Sequence, residues 1–167
     1  MFTLGNEDIL KLHKTAFLCS RRYPSSVVPR AYDWAIAQRE AGNCVISGFH
    51  SQIEKDVFHY LLKGKQPIIL ALARGLPKRV DPLLVLSIDT GRLLLVTPFG
   101  PRVSRITSTT AQRRNQMMIE MADDIVVGYS TPEGSLSKLL GGVPLLRKKI
   151  EWLVDYMIKN VTPSTQI

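Results

Sequence analysis

Short apolar runs alternate with longer amphipathic stretches along most of the chain. The runs predict strands at residues 14–20, 44–48, 67–73, 92–99 and 124–130. Because each run is apolar at consecutive positions, we expect each strand to be buried on both faces. In the stretches between them apolar residues recur at helical spacing, which predicts helices at residues 27–41, 53–62, 82–88 and 110–122.

This alternation is typical of a parallel sheet with helices on both faces. Right-handed crossovers then favour a Rossmann-like doubly wound α/β fold with a mainly parallel sheet. Near the end of the chain, residues 145–160 carry apolar side chains at helical spacing and predict a final amphipathic helix. We therefore expect one Rossmann-like domain over residues 1–160, ending in that helix, and a flexible tail over 161–167.

Composition narrows the class of protein. The chain has 167 residues, of which 45% are hydrophobic and 22% charged, so it is neither disordered nor a membrane protein. No apolar run approaches the roughly 18 residues that cross a bilayer, and acidic residues stand where a signal peptide needs basic ones. We expect a cytoplasmic protein. Cys19 and Cys44 lie inside predicted strands without metal-ligand spacing, which indicates buried hydrophobic residues.

The net charge of +8 favours an anionic partner, with nucleic acid first and an anionic membrane surface or a phosphorylated metabolite as alternatives. In an open parallel sheet, ligands bind beyond the carboxyl ends of the strands. Phosphate-binding residue types that follow a strand are therefore the candidates for a ligand site. Those at the predicted edge are Ser20, Arg21, Arg22, Ser47, Gly48, Phe49, His50, Ser51, Arg113, Arg114, Asn115, Gly134 and Ser135.

Three loops in this set combine small residues with hydroxyls. Small residues let backbone N–H groups approach an anion closely, and hydroxyls donate to phosphate oxygens. Arg113 and Arg114 lie near the start of the helix after the fourth strand, where a guanidinium binds phosphate in a bidentate fork. The pattern predicts a phosphate-binding cleft, although ordinary turns and a solvated helix face remain alternatives.

Motifs of common enzymes are missing. No GxGxxG follows the first strand and no GxxxxGK[ST] occurs, which argues against a standard NAD dehydrogenase or a P-loop ATPase. Spacing alone assembles no catalytic triad around His50 or His59. We expect no catalytic residue, no bound cofactor and no metal.

Four motifs occur together in a recognisable order: Cys-Ser-Arg at 19–21, Ser-Gly-Phe-His-Ser at 47–51, Arg-Asn at 114–115 and Gly-Ser-Leu at 134–136. Over residues 14–140 the chain resembles the Rossmann-like domain of DprA/Smf DNA-processing proteins, in the superfamily that includes the LOG phosphoribohydrolases. The resemblance implies a single-domain protein that binds single-stranded DNA in a basic pocket. Candidates for the positive groove and for base stacking are Arg21, Arg22, Tyr23, Phe49 and Arg114.

The implied partners are single-stranded DNA or a nucleotide, with a recombinase and a second copy of the chain as further candidates and no membrane. Ser51 replaces the loop arginine of the family, which removes one phosphate contact. A nucleotide sensor is one alternative function. A phosphoribohydrolase is another, but Ser137 and Lys138 occupy the region where LOG enzymes carry a catalytic glutamate, and Glu133 precedes the turn. We therefore expect a non-enzymatic DNA-binding protein.

Overall fold

One sheet organises the chain in the computed structural model, which describes residues 1–143 and 147–154. Within these ranges its strand order is β1-β5-β4-β3-β2-β6-β7, and only β1 runs antiparallel to its neighbour. The strands are β1 (Phe2–Leu4), β2 (Lys14–Leu18), β3 (Cys44–Ser47), β4 (Ile68–Ala71), β5 (Leu93–Thr97), β6 (Asp124–Val127) and β7 (Ile150–Trp152).

Helices cover both faces of this sheet. They are α1 (Val27–Ala41), α2 (Gln52–Leu62), α3 (Pro82–Asp89), α4 (Ser108–Met121) and α5 (Ser135–Leu140), with a short 3-10 helix at Glu7–Lys11. α1 and α2 pack against one face of the sheet, and α4 and α5 against the other. Successive residues of each strand point to opposite faces. Phe17 therefore belongs to the core on the side of α1 and α2, and Leu18 to the core on the side of α4 and α5. This is the predicted Rossmann-like α/β fold.

The chain reverses direction across the sheet between β2 and β6. From β2 it passes through β3 and β4 to β5, and then returns to β6 on the other side of β2. In doubly wound sheets the ligand crevice opens at such a reversal, beyond the carboxyl ends of the strands. The loops that follow β2 and β6 therefore frame the expected cleft.

The five predicted strands and four predicted internal helices are confirmed. The two edge strands and α5 are not among the sequence predictions. Burial raises the pKa of both cysteine thiols to about 12, in agreement with their expected role as buried apolar residues. Within residues 1–143 and 147–154 the structure contains no helix long and apolar enough to cross a membrane.

The predicted helix over residues 145–160 is wrong where the structure describes it. Ile150–Trp152 forms β7 and pairs in parallel with β6, in the register Ile125 to Ile150. Lys148 Nζ donates to the carbonyls of Ile119 and Glu120 at the end of α4, and this contact directs the chain towards the sheet. Backbone pairing with the edge of β6 thus overrides the helical spacing of apolar residues in this segment. Residues 145–146 and 155–160 of that prediction, and the predicted tail at 161–167, lie outside the described residues.

Candidate functional site

The loops after β2 and β6 are joined by hydrogen bonds at the reversal point. Ser20 Oγ accepts from the Thr131 amide at 2.9 Å, and the Ser20 amide donates to the Tyr129 carbonyl at 2.8 Å. Thr131 Oγ1 donates to the Arg22 carbonyl at 3.5 Å. These contacts fix the backbone on either side of Arg21, whose side chain is exposed to solvent.

Arg114 lies across the carboxyl ends of β3 and β4. It projects from α4, and the residue is only 6% exposed. Its Nη1 donates to the Ala71 carbonyl at 3.3 Å and its Nε to Asn115 Oδ1 at 2.8 Å. A Cβ atom built on Gly48 would stand 2.0 Å from Nη1, so the guanidinium rests directly on the glycine backbone. Gly48 therefore provides the space that Arg114 occupies.

The charge of Arg114 is buried without a carboxylate in contact. No acidic group among residues 1–143 and 147–154 comes within salt-bridge distance of it. Burial is the main cause that lowers the pKa of Arg114; the charge of Arg21 lowers it further, whereas Glu54 raises it. A buried cation without an anionic partner is costly to the fold. Its remaining N–H groups, which have no acceptor in the described part of the chain, are suited to bind an anion.

His50 stands in the same electrostatic environment. Its side chain is half-buried, and burial followed by the charges of Arg114 and Arg21 lowers its pKa. Glu54 acts in the opposite direction, and Lys55 lowers the pKa further. The loops after β2 and β3 and helix α4 thus bring Arg21, His50 and Arg114 close enough for their charges to act on one another.

Comparison with solved structures identifies the fold. The chain aligns with DNA processing protein A (DprA) from Streptococcus pneumoniae at a TM-score of 0.75 and 16% identity, over 95% of this chain and 56% of that one. A DprA structure from Helicobacter pylori, which addresses that protein's single-stranded DNA binding mode, aligns at 0.75 and 14%, over 93% and 72%. The chain has the DprA fold. It spans a little over half the length of the S. pneumoniae protein.

A molybdenum cofactor binding protein from Rippkaea orientalis shares this architecture more loosely, with a TM-score of 0.58 and 9% identity over 84% of this chain and 76% of that one. Comparison with protein-family models and with curated protein sequences gives no match. The likeness to DprA therefore rests on three-dimensional structure.

The loop after β3 differs from the prediction. Its amides were expected to bind phosphate. Instead, Glu54 Oε2 accepts from the amides of His50 at 3.1 Å and Ser51 at 2.8 Å. The Phe49 amide donates to Ser47 Oγ at 3.3 Å, and that hydroxyl donates to the Phe17 carbonyl. Ser47 and Ser51 thus support the loop.

Phe49 is not a stacking platform for a base. Its backbone has a φ of +45°, and its side chain is buried against Phe58, with ring centroids 4.3 Å apart. The expectation that Phe49 lines the groove is wrong because the left-handed turn directs the ring into the core. Tyr23 is half-buried among the residues of that same core.

The remaining predicted residues divide between the cleft and the surface. Asn115 contacts Arg114 and orients its guanidinium. Arg113, the preceding residue on α4, is exposed and has no side-chain partner in the ranges described; consecutive residues on a helix point about 100° apart. Gly134 precedes α5, and its amide donates to the Thr131 carbonyl at 3.0 Å, while Ser135 is exposed.

Two polar residues of the cleft were missed by sequence analysis. Glu54 is 6% exposed and forms a capping box with Ser51. The Ser-x-x-Glu spacing at 51–54 is the signal that could have identified it. Ser130, which follows β6, is 1% exposed, and its hydroxyl has no hydrogen-bond partner among the described residues. No sequence pattern marks Ser130.

Proposed function

We propose that the cleft binds single-stranded DNA through its phosphates, with Arg114 and Arg21 as the principal cations. The buried guanidinium of Arg114, which has no acidic partner in the described structure, carries this proposal. A phosphate placed there would supply the missing negative charge and accept the unused N–H groups. The DprA fold supports the proposal, because the H. pylori structure of that fold concerns binding of single-stranded DNA. We propose no enzymatic activity.

The basic surface continues beyond Arg114. The loops after β4 and β5 meet through a 2.7 Å hydrogen bond from the Gly75 amide to the Val103 carbonyl. Both loops leave the carboxyl edge of the sheet and expose basic residues to solvent: Arg74, Lys78, Arg79, Arg102 and Arg105. Several exposed cations in loops that leave one edge of the sheet favour a polyanion with several phosphates over a single nucleotide.

Salt dependence tests this function. A single strand that displaces several counterions should lose affinity with a log–log slope of about −0.7 for each phosphate contact. We expect a slope of about −2 or steeper for oligo-dT, and a shallow slope for thymidine 5′-monophosphate (dTMP). Fluorescence anisotropy of labelled oligo-dT at several salt concentrations measures it. Failure of oligo-dT to bind at low salt would refute the proposal, and equally tight binding of dTMP would favour the nucleotide sensor.

Acidification should strengthen DNA binding through His50. Burial and then the charges of Arg114 and Arg21 hold its pKa below the usual 6.5 in the free protein. A bound phosphate offsets that repulsion and raises the pKa, so binding takes up a proton. Affinity should therefore rise as the pH falls through the bound and then the free pKa, and level off below both.

We expect a gain of about threefold to tenfold between pH 7.5 and 5.5, since one unit of pKa difference corresponds to a factor of about ten. Anisotropy titrations at fixed ionic strength measure the gain. His50→Asn removes the titrating group and should flatten the profile. An unchanged pH profile in this variant would assign the dependence to another group.

A further inference from the structure

We propose that Glu54 makes the cleft selective for phosphodiesters within a strand over terminal phosphate monoesters. This inference rests on the proposed function and names the kind of phosphate that the same site accepts. Glu54 lies in the first turn of α2. The loop before α2 contains Gly48, on which the guanidinium of Arg114 rests.

Glu54 occupies two backbone amides that stand directly before α2. In many open α/β folds a phosphate group sits at a helix N-terminus and accepts from its free N–H groups. Here the carboxylate of Glu54 accepts from the amides of His50 and Ser51. The side chain of Ser51 in turn accepts from the Glu54 amide. The protein's own anion therefore takes the two loop amides that precede α2.

The buried carboxylate also affects the charge balance of the cleft. Glu54 is 6% exposed, so its charge is weakly screened by solvent. It acts on the same phosphate position as Arg114, because Arg114 lies on Gly48 and Glu54 holds the amides two and three residues further on. A monoester carries nearly two negative charges above pH 7 and a diester only one. Glu54 therefore repels a monoester about twice as strongly as it repels a diester at the same position.

Donor geometry favours the same choice. A guanidinium presents a planar fork that matches two oxygens of one group, and a diester has two non-bridging oxygens. The third oxygen of a monoester needs a further donor. The amides of Phe49, His50 and Ser51 cannot provide it, because each already donates within the protein.

Matched ligands test the selectivity. dTMP and its methyl ester differ only in that the ester is a singly charged diester. At pH 8 each should be titrated as a competitor of labelled oligo-dT. Net charge alone would make this basic protein prefer dTMP. We expect the methyl ester to compete about threefold better, since the amides of His50 and Ser51 are already occupied and Glu54 repels the dianion more strongly.

Glu54→Gln isolates the charge, because the glutamine carbonyl can still accept from the two amides. We expect this variant to bind dTMP about tenfold more tightly and the methyl ester about threefold, which removes the preference. Glu40→Gln is the matched control: Glu40 is an exposed carboxylate in the last turn of α1, at the opposite end of the sheet. It should leave the ratio of the two affinities unchanged.

The outcomes separate this inference from the proposed function. If oligo-dT does not bind, the proposed function fails. If oligo-dT binds but dTMP competes as well as its methyl ester in the unmodified protein, the selectivity is refuted. If the preference exists but a folded Glu54→Gln variant retains it, Glu54 is not its cause. Should that variant not fold, the comparison of the two ligands with the unmodified protein still decides.

Discussion

Replacing Gly48 by alanine is expected to reduce the affinity for oligo-dT by about tenfold to one hundredfold, the equivalent of one or two charge-assisted hydrogen bonds. The added Cβ would stand 2.0 Å from Nη1 of Arg114, a distance that forces one of the two groups to move. The guanidinium is the far end of a flexible side chain, so it should leave the cleft and lose its bond to the Ala71 carbonyl. Anisotropy with labelled oligo-dT measures the loss.

Gly100→Ala serves as the control for this variant. Gly100 lies in the loop after β5 at the same edge of the sheet, and the nearest atom to its added Cβ is 3.8 Å away, in Phe2. We expect its affinity to match that of the unmodified protein. Equal affinities for Gly48→Ala and Gly100→Ala, with both variants folded by circular dichroism, would show that the position of Arg114 does not matter for binding.

Arg114→Met should abolish most DNA binding, by about one hundredfold, without loss of stability. Methionine fills a similar volume and carries no charge to desolvate, and replacing a buried ion with an apolar residue is often neutral or stabilising. The lost bond to the Ala71 carbonyl offsets part of this gain. We expect a free energy of unfolding within about 1 kcal/mol of the unmodified value, measured by urea titration.

Arg113→Met is the matched substitution, one residue earlier on α4. Because Arg113 is exposed, it should change oligo-dT affinity by about twofold at most and leave stability unaltered. A loss of more than about 3 kcal/mol in Arg114→Met would mean that Arg114 has a structural role. Alanine is a less suitable replacement for Arg114 than methionine. Since Arg114 is buried, alanine would leave a cavity and confound the measurement.

The sequence predicted which strands, loops and helices surround the site better than it predicted the contacts of their side chains. Consecutive apolar residues give the central strands, and the carboxyl ends of parallel strands must share an edge. The loops carrying Arg21 and His50 and the helix carrying Arg114 could therefore be placed together. The spacing of apolar residues could not show whether Arg113 or Arg114 is buried, because that depends on how α4 is rotated about its axis relative to the sheet. The sequence also could not show that the Glu54 carboxylate accepts hydrogen bonds from the loop amides, since residue identity does not determine which acceptor each donor uses.

The edges of the sheet were missed for a different reason. β1 and β7 each have three residues, too few to show an apolar period of their own. Both exist because a neighbouring strand offers unpaired backbone groups. The domain limits, a recombinase partner and a homodimer stay predictions.

These short strands have a consequence for association between copies of the chain. Without β1, the outer side of β5 would present the backbone of Leu93–Thr97, a fully buried apolar strand, to any extended segment in solution. Gly5 closes this edge tightly, because a Cβ there would lie 2.6 Å from the Leu93 carbonyl oxygen. Deleting residues 1–5 would thus expose a template for intermolecular strand pairing and promote aggregation.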